Sequence, residues 1–360
     1  MDQTKRNIIF LFTTLTIVNI VGWIAAVSVY SSLASSSIGY LALAYTLGLR
    51  HALDADHIAA IDNTTRRFMV EGKKPVTVGL FFALGHSTIV VIATIIVAVV
   101  SSTVFIDRYS QVSGIIGSSV SSTFLAAIGI INCFVFYSIW NCYRKTKGMD
   151  EKDIDWEMIL SQGGFFCRLF GERFFKVIDK PWKLYFVGFC FGLGFDTATE
   201  IALMSIVVIQ VTSGETNWII LFLPLLFTCG MTLIDSLDGV LMLGIYGWSL
   251  ITPIQKLFFN LFVTALSIIF AFGIAIIQIV KLLVEQKSIE GSFWESLATL
   301  GDSFEFVGIF IIGSFMASFL VVYAISKLQQ DKNTSIENDT LTVVISENSV
   351  KLDNASSTSA

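Results

Sequence analysis

Apolar runs long enough to cross a bilayer, which takes about 20 residues each, recur at roughly 8–30, 38–62, 76–100, 114–142, 184–211, 218–244, 256–284 and 304–327. In hydrocarbon a backbone must satisfy its own hydrogen bonds, and a single apolar run does so as an α-helix. The pattern therefore predicts an all-α polytopic membrane protein with eight transmembrane helices, one domain over residues 1–327 that includes a long loop at 143–183. The first run follows Lys5 and Arg6 as a signal peptide would, but it exceeds the usual signal length and no A-x-A-like cleavage site follows, so a retained helix is expected. From about residue 328 the chain turns to Ser, Thr, Asn, Asp and Gln, the composition of a disordered cytoplasmic tail over 328–360.

Composition removes the soluble alternative. The 360 residues are 54% hydrophobic and 14% charged, with a mean hydropathy of +0.75, too apolar for a surface wetted by water. Eight spans put both ends on one side. With an inner N-terminus, only Arg108, Lys281 and Lys287 of the 23 Lys and Arg residues fall outside, Arg50 lying within a span. This bias predicts cytoplasmic termini. Residues 156–178 alternate Phe with Arg, Glu and Lys, which fits either an interfacial helix on the inner leaflet or a plain cytoplasmic connector. The cysteines Cys133, Cys142, Cys167, Cys190 and Cys229 show no C-x-x-C spacing and fall mostly in spans or the inner loop, so no disulfide framework is expected. The basic residues form no stripe with aromatics, which argues against a nucleic-acid partner. Nothing in the sequence sets the oligomeric state.

A weak internal echo runs through the spans. Gly48-Leu49 precedes Asp56 as Gly192-Leu193 precedes Glu200, an offset of 144, and Gly85-His86 meets Gly230-Met231 at an offset of 145. The paired helices run in opposite directions, so the echo suits an inverted repeat of helices 1–3 and 4–6 with a site at their interface. Chance similarity between Gly-rich apolar helices is the rival.

Polar residues inside the spans mark the chemistry. All three histidines, His51, His57 and His86, lie in apolar stretches, two of them within Arg50-His51-Ala52-Leu53-Asp54-Ala55-Asp56-His57-Ile58. Imidazole and carboxylate are ligands for borderline divalent metals, and intramembrane ionisable groups need water, partners or a cation. On a continuous helix with about 100° per residue, His51, Asp54 and His57 share one face. Asp54 also stands four residues from Arg50, which gives it an alternative role as that arginine's counter-ion. Asp56, about 100° away from His57, belongs either to a neighbouring interface or, through a distortion such as a π-bulge, to the same cation. His86 lies near mid-bilayer beside Gly85, which permits close helix approach. The fifth span carries Asp196 and Glu200 at i, i+4 and the sixth carries Asp235 and Asp238 at i, i+3, each pair on one face with no lysine in these helices to balance it.

The strings RHALDADHI, LGHSTIVV, LGFDTATEI and GMTLIDSLDG resemble the four signature motifs of the nickel/cobalt transporter (NiCoT) family of membrane permeases, in the order expected across helices 2, 3, 5 and 6. The resemblance runs by motif from residue 48 to 239, with Ser236 where the family usually has Thr. It implies high-affinity uptake of Ni²⁺ or Co²⁺ across the plasma (cytoplasmic) membrane, with His51, Asp56 and His57 at the helix-2 ligand positions and Asn19 and Leu53 at the positions tied to metal preference. The residues expected to hold metal are then His51, Asp54, Asp56, His57, His86, Asp196, Glu200, Asp235 and Asp238. The metal is cargo, and no resident cofactor is implied. No Walker A string occurs, so ATP hydrolysis by this chain is not expected, and the membrane potential supplies about 4.6 kcal/mol per 100 mV for a divalent ion. The alternatives are another divalent-cation channel and a metal-dependent intramembrane enzyme. H-E-x-x-H is absent, and three histidines are too few for a histidine-rich diiron site.

Overall fold

The computed structural model describes residues 3–31, 37–70, 72–100, 103–146, 178–194, 198–212, 218–247, 253–285, 291–301 and 306–318, with residues 320, 321 and 324. The 147–177 part of the long loop, including most of its amphipathic stretch, Asp196 and the 328–360 tail lie outside the described residues. Among the described residues there is no strand. The helices are α1 (Gln3–Tyr30), α2 (Ser37–His51), α3 (Ala55–Val70), α4 (Val78–Val100), α5 (Thr103–Thr146), α6 (Leu184–Phe191), α7 (Ala198–Thr212), α8 (Phe222–Gly247), α9 (Pro253–Glu285), α10 (Ser292–Gly301) and α11 (Phe306–Ser318).

Five helices are long and apolar enough to cross a membrane among the described residues, within α1, α4, α5 and α9 and over Ile219–Gly244, which includes most of α8. Their outer faces carry exposed Ile, Val and Phe such as Phe10, Ile24, Val99 and Ile269, as lipid contact requires. The second expected span is not one helix. α2 ends at His51, and α3 starts at Ala55. Leu53 N–H and Asp54 N–H turn back to the carbonyls of Arg50 and His51, each at 3.0 Å, and the Asp54 carbonyl accepts from Ile58 N–H at 3.2 Å, so Asp54 occupies the N-cap of α3. Asp is among the residues that favour that position. The fifth expected span is interrupted as well, with α6 ending at Phe191 and α7 beginning at Ala198. The hydropathy of both runs is continuous while their backbones are not, because a window average does not register a cap.

α3 explains why the break is tolerated. Every residue from His57 to Arg66 is buried, including Asp62, Asn63, Thr64 and Thr65, so this helix meets protein on all sides. Three of its polar side chains are paired across to other helices: Asn63 accepts from Asn132 of α5, Asp62 accepts from Ser267 of α9 at 3.1 Å, and Arg66 Nη1 donates to Thr264 Oγ1 of α9 at 2.5 Å, while Arg66 Nε and Nη2 are buried with no hydrogen-bond partner among the described residues. α8 is the hub, packing on α1, α2, α3 and α4, while α5 pairs with α9 and α4 with α6. On the loop side, Lys73 Nζ donates to the Asp179 carbonyl at 3.0 Å, and the hydrogen bond from Lys183 holds the exposed Asp179 carboxyl below the usual carboxylate range.

Several crossings are made backbone to backbone, among them those of α2 with α8, α4 with α6 and, through Gly79 and the Asp235 carbonyl, α4 with α8. A side-chain carbon added at Gly48 of α2 would run into the Phe227 carbonyl of α8, and one at Gly188 of α6 would run into the Phe82 carbonyl of α4. Small residues allow such approach between helices in lipid. Gly48→Leu is therefore expected to lower the thermal midpoint of the detergent-solubilised protein, at an overpacking cost of about 1–3 kcal/mol or more. Gly39→Ala, where nothing lies within 4 Å, should leave that midpoint in place. Equal midpoints for the two variants, measured by temperature-dependent size exclusion, would refute the contact.

Candidate metal centre

His51 closes α2, His57 lies in the first turn of α3 and His86 lies two turns into α4. A continuous second helix would separate His51 from His57 by about 9 Å of rise. The break after His51 folds the chain back, and their rings meet edge to face with centroids 4.6 Å apart. His86 stands 4.7 Å from His51 and 4.8 Å from His57 by the same measure. All three are buried, and one nitrogen from each can be chosen so that all lie within 4.8 Å of one another. Phe82 closes edge-on against His57 at 4.8 Å, and Phe227 flanks His51 at 5.5 Å, giving the cluster apolar walls.

Glu200, in the first turn of α7, adds an oxygen. His86 Nε2 is 2.9 Å from His51 Nε2 and 2.9 Å from Glu200 Oε1, while His51 Nε2 and Glu200 Oε1 are 3.9 Å apart. Donors about 2.05 Å from one ion stand about 2.9 Å apart at a right angle, about 3.4 Å at the tetrahedral angle and about 4.1 Å when opposite each other. The two 2.9 Å separations are equally the lengths of hydrogen bonds that join these three side chains.

Behind the donors are groups that set imidazole orientation. His51 Nδ1 lies 2.9 Å from Thr199 Oγ1 and 3.0 Å from Asp54 Oδ2. His57 Nδ1 lies 3.4 Å from both oxygens of Asp235. A carboxylate or hydroxyl on one ring nitrogen fixes the tautomer and turns the other toward a ligand. The His86 Nδ1 atom is buried with no hydrogen-bond partner among the described residues. Three imidazoles enclosed by Glu200, Asp54 and Asp235 form a site that suits a cation, since buried carboxylates are costly without one.

The other expected site residues are distributed differently. Asp56 turns its carboxylate to its own helix start and to neighbouring helices: Oδ1 accepts from His57 N–H at 2.9 Å, and Oδ2 accepts from Gln278 of α9 at 3.2 Å and from Ser121 of α5 at 3.4 Å. Asp238 is buried in α8, and neither of its carboxylate oxygens has a hydrogen-bond partner among the described residues. Asp196 lies outside the described residues. Thr199 was not singled out from sequence. Its neighbour Glu200 marked the segment, but a membrane Thr hydroxyl commonly bonds back to its own helix, as Thr88 does to the Leu84 carbonyl, so the hydroxyl alone carries no signal.

A family model described as "High-affinity nickel-transport protein" matches residues 37–325. The chain is 37% identical over 342 residues to a high-affinity nickel transport protein of Cupriavidus necator, covering 93% of this chain and 97% of that one. It is 35% identical over 298 residues to the high-affinity nickel-transport protein NixA of Helicobacter pylori strain J99, covering 81% of this chain and 88% of that one. It is 34% identical over 298 residues to the cobalt transport protein NhlF of Rhodococcus rhodochrous, covering 81% and 83%. No solved structure gives a significant match. The matched segment runs from the start of α2 to beyond α11 and takes in every element that supplies the histidine cluster, so the chain belongs to the family of high-affinity nickel-transport proteins.

Proposed function

We propose that this chain carries Ni²⁺ or Co²⁺ into the cytoplasm across the plasma membrane, binding the ion at His51, His57, His86 and Glu200 with Asp54, Thr199 and Asp235 orienting the imidazoles. The observation that carries this reading is the convergence of three buried histidines from three helices in a chain of a nickel-transport family. Asp56 acts by fixing the start of α3 against α5 and α9.

The reading includes eight membrane crossings, with α2–α3 and α6–α7 each counted as one discontinuous crossing, and cytoplasmic termini. The charge distribution supports the orientation. An inverted repeat is supported by the presence of one interruption in each of the two runs, between α2 and α3 and between α6 and α7. It is also supported by the reciprocal crossings: the added carbon at Gly230 of α8 would meet the Tyr45 carbonyl and the Leu49 nitrogen of α2, and that at Gly85 of α4 would meet the Tyr185 carbonyl and the Phe189 nitrogen of α6. Broken helices meeting near the midplane are the usual frame of an ion site in transporters of this construction.

The deciding experiment is uptake of radioactive Ni²⁺ and Co²⁺ by cells making the chain, each competed by the other and by Zn²⁺. Uptake of at least one of the two is expected, and absence of uptake of both would refute the function. His57→Ala and Asp56→Asn should each abolish that uptake while the protein stays in the membrane. Normal uptake in His57→Ala would move the site elsewhere, and normal uptake in Asp56→Asn would dismiss the anchoring role of that carboxylate. Thr199→Val, which removes the hydroxyl behind His51, should weaken Ni²⁺ affinity by about 10–100-fold, with Thr199→Ser restoring it. Wild-type affinity in the valine variant would dismiss the orienting role.

A further inference from the structure

Where the first turn of α3 holds His57 decides where that imidazole stands, and a side chain outside the cluster bears on the turn. At a helix start the first N–H groups have no carbonyl within the helix to reach, and a capping side chain normally takes one of them. Asp54 stands at the N-cap of α3, but its Oδ2 lies 3.0 Å from His51 Nδ1. The His57 N–H is taken instead by Asp56 Oδ1 at 2.9 Å. The backbone of one imidazole donor is thus tied to the carboxyl group of the second residue of α3.

That carboxyl group is held at its other oxygen by α9. Gln278 Nε2 donates to Asp56 Oδ2 at 3.2 Å, nearer than the Ser121 hydroxyl of α5 at 3.4 Å. Gln278 is 3% exposed, and its Oε1 is buried with no hydrogen-bond partner among the described residues. Burying an amide with its acceptor unmet is costly, and an apolar residue of similar size would escape that cost. What the amide supplies is an N–H for the carboxyl group behind His57. The four strings that carry the family resemblance end at residue 239, so none of them reaches α9.

We infer that Gln278 is a positioning residue of the metal centre: by holding Asp56 it fixes the backbone of His57, and with it the affinity of the site for the divalent ion. This inference rests on the transport function proposed above. Gln278 acts on Asp56 Oδ2, and Asp56 Oδ1 acts on the His57 N–H. A His57 backbone that slackens carries its ring away from those of His51 and His86, whose centroids lie 4.6 and 4.8 Å from it. Donors that must converge on one ion lose affinity when one of them is free to wander, so the α9 amide acts on binding rather than on the steps after it.

The test uses the full chain, purified in detergent for ⁶³Ni²⁺ binding and Co²⁺ absorption spectra, and made in cells for uptake. Gln278→Leu keeps the bulk, and Gln278→Glu keeps the shape but puts a carboxyl oxygen in place of the N–H donor. Each should weaken Ni²⁺ binding by about 10-fold. The uptake KM should rise by a similar factor while the rate at saturating Ni²⁺ is kept, and the visible bands of bound Co²⁺ should shift as the His57 donor moves. Ser267→Ala, which cuts a different hydrogen bond between α9 and α3, the one to Asp62, should leave affinity and bands in place. If one Gln278 variant does not fold, the other carries the test, and failure of both to fold would mark a structural role and overturn the inference. Unchanged affinity in both Gln278 variants, with tight Ni²⁺ lost in His57→Ala, would overturn this inference alone, and so would an equal loss in Ser267→Ala. Tight Ni²⁺ binding that survives His57→Ala would instead sink the histidine site itself, and the role of Gln278 with it.

Discussion

His51 and His57, six residues and about 9 Å of helical rise apart, bring their rings together because the helix between them is broken, and a broken helix in lipid leaves backbone groups that water cannot reach. Much of this structure follows from meeting that requirement. The freed N–H groups of Ala52, Leu53 and Asp54 find the carbonyls of Gly48, Arg50 and His51, and Asp54 caps the restart. The Leu53 carbonyl lies against α11 at Gly308, where any side chain would collide with it. The interruption is enclosed by protein, as irregular backbone at membrane depth must be.

The same requirement shapes the helices around it. α3 inherits Asp56, Asp62, Asn63 and Arg66, and so it is surrounded by α5, α8 and α9, whose Ser121, Asn132, Thr264, Ser267 and Gln278 answer its polar groups. Apolar packing occupies the space between these contacts: Ile58, Leu125, Met242, Ile274 and Phe315 form one buried cluster around α3. The lipid-facing exterior is left to α1, α5 and α9, whose most apolar stretches are the least buried of the five long apolar helices.

The helical class and the approximate place of most membrane-spanning runs were legible in the amino-acid pattern, because hydropathy and the scarcity of charged residues act over whole segments. The three histidines were recognisable for the same reason. Their mutual geometry was not. A continuous helix places His51, Asp54 and His57 along one face, whereas the chain turns at Ala52 and brings the rings together at the turn. Asp54 ahead of an apolar-periodic stretch is a cap signal, but it competed with an unbroken run of hydropathy and with a counter-ion role for Arg50. The partners of Asp56 on α5 and α9 had no signal at all, since which helices become neighbours is decided by packing across more than 60 residues of sequence. Thr199 was hidden by the habit of membrane hydroxyls to bond within their own helix. Asp62 sits in the polar sequence Asp62-Asn63-Thr64-Thr65-Arg66-Arg67, which reads as the end of a span rather than as the inside of a protein.

The glycine crossings have a mechanical meaning. Where backbone touches backbone, no flexible side chain lies between two helices to absorb a displacement, so α2 with α8, and α4 with α6, behave at those points as two stiff couples. His51 belongs to the first couple and His86 to the second, and their Nε2 atoms are separated by 2.9 Å. A further contact of the same kind, between Gly79 of α4 and the Asp235 carbonyl of α8, joins the two couples, so the backbone itself holds that separation. An ångström is a large fraction of a coordination bond of about 2 Å, so a frame joined at backbone level fixes the spacing of these two nitrogens as closely as holding a cation would demand.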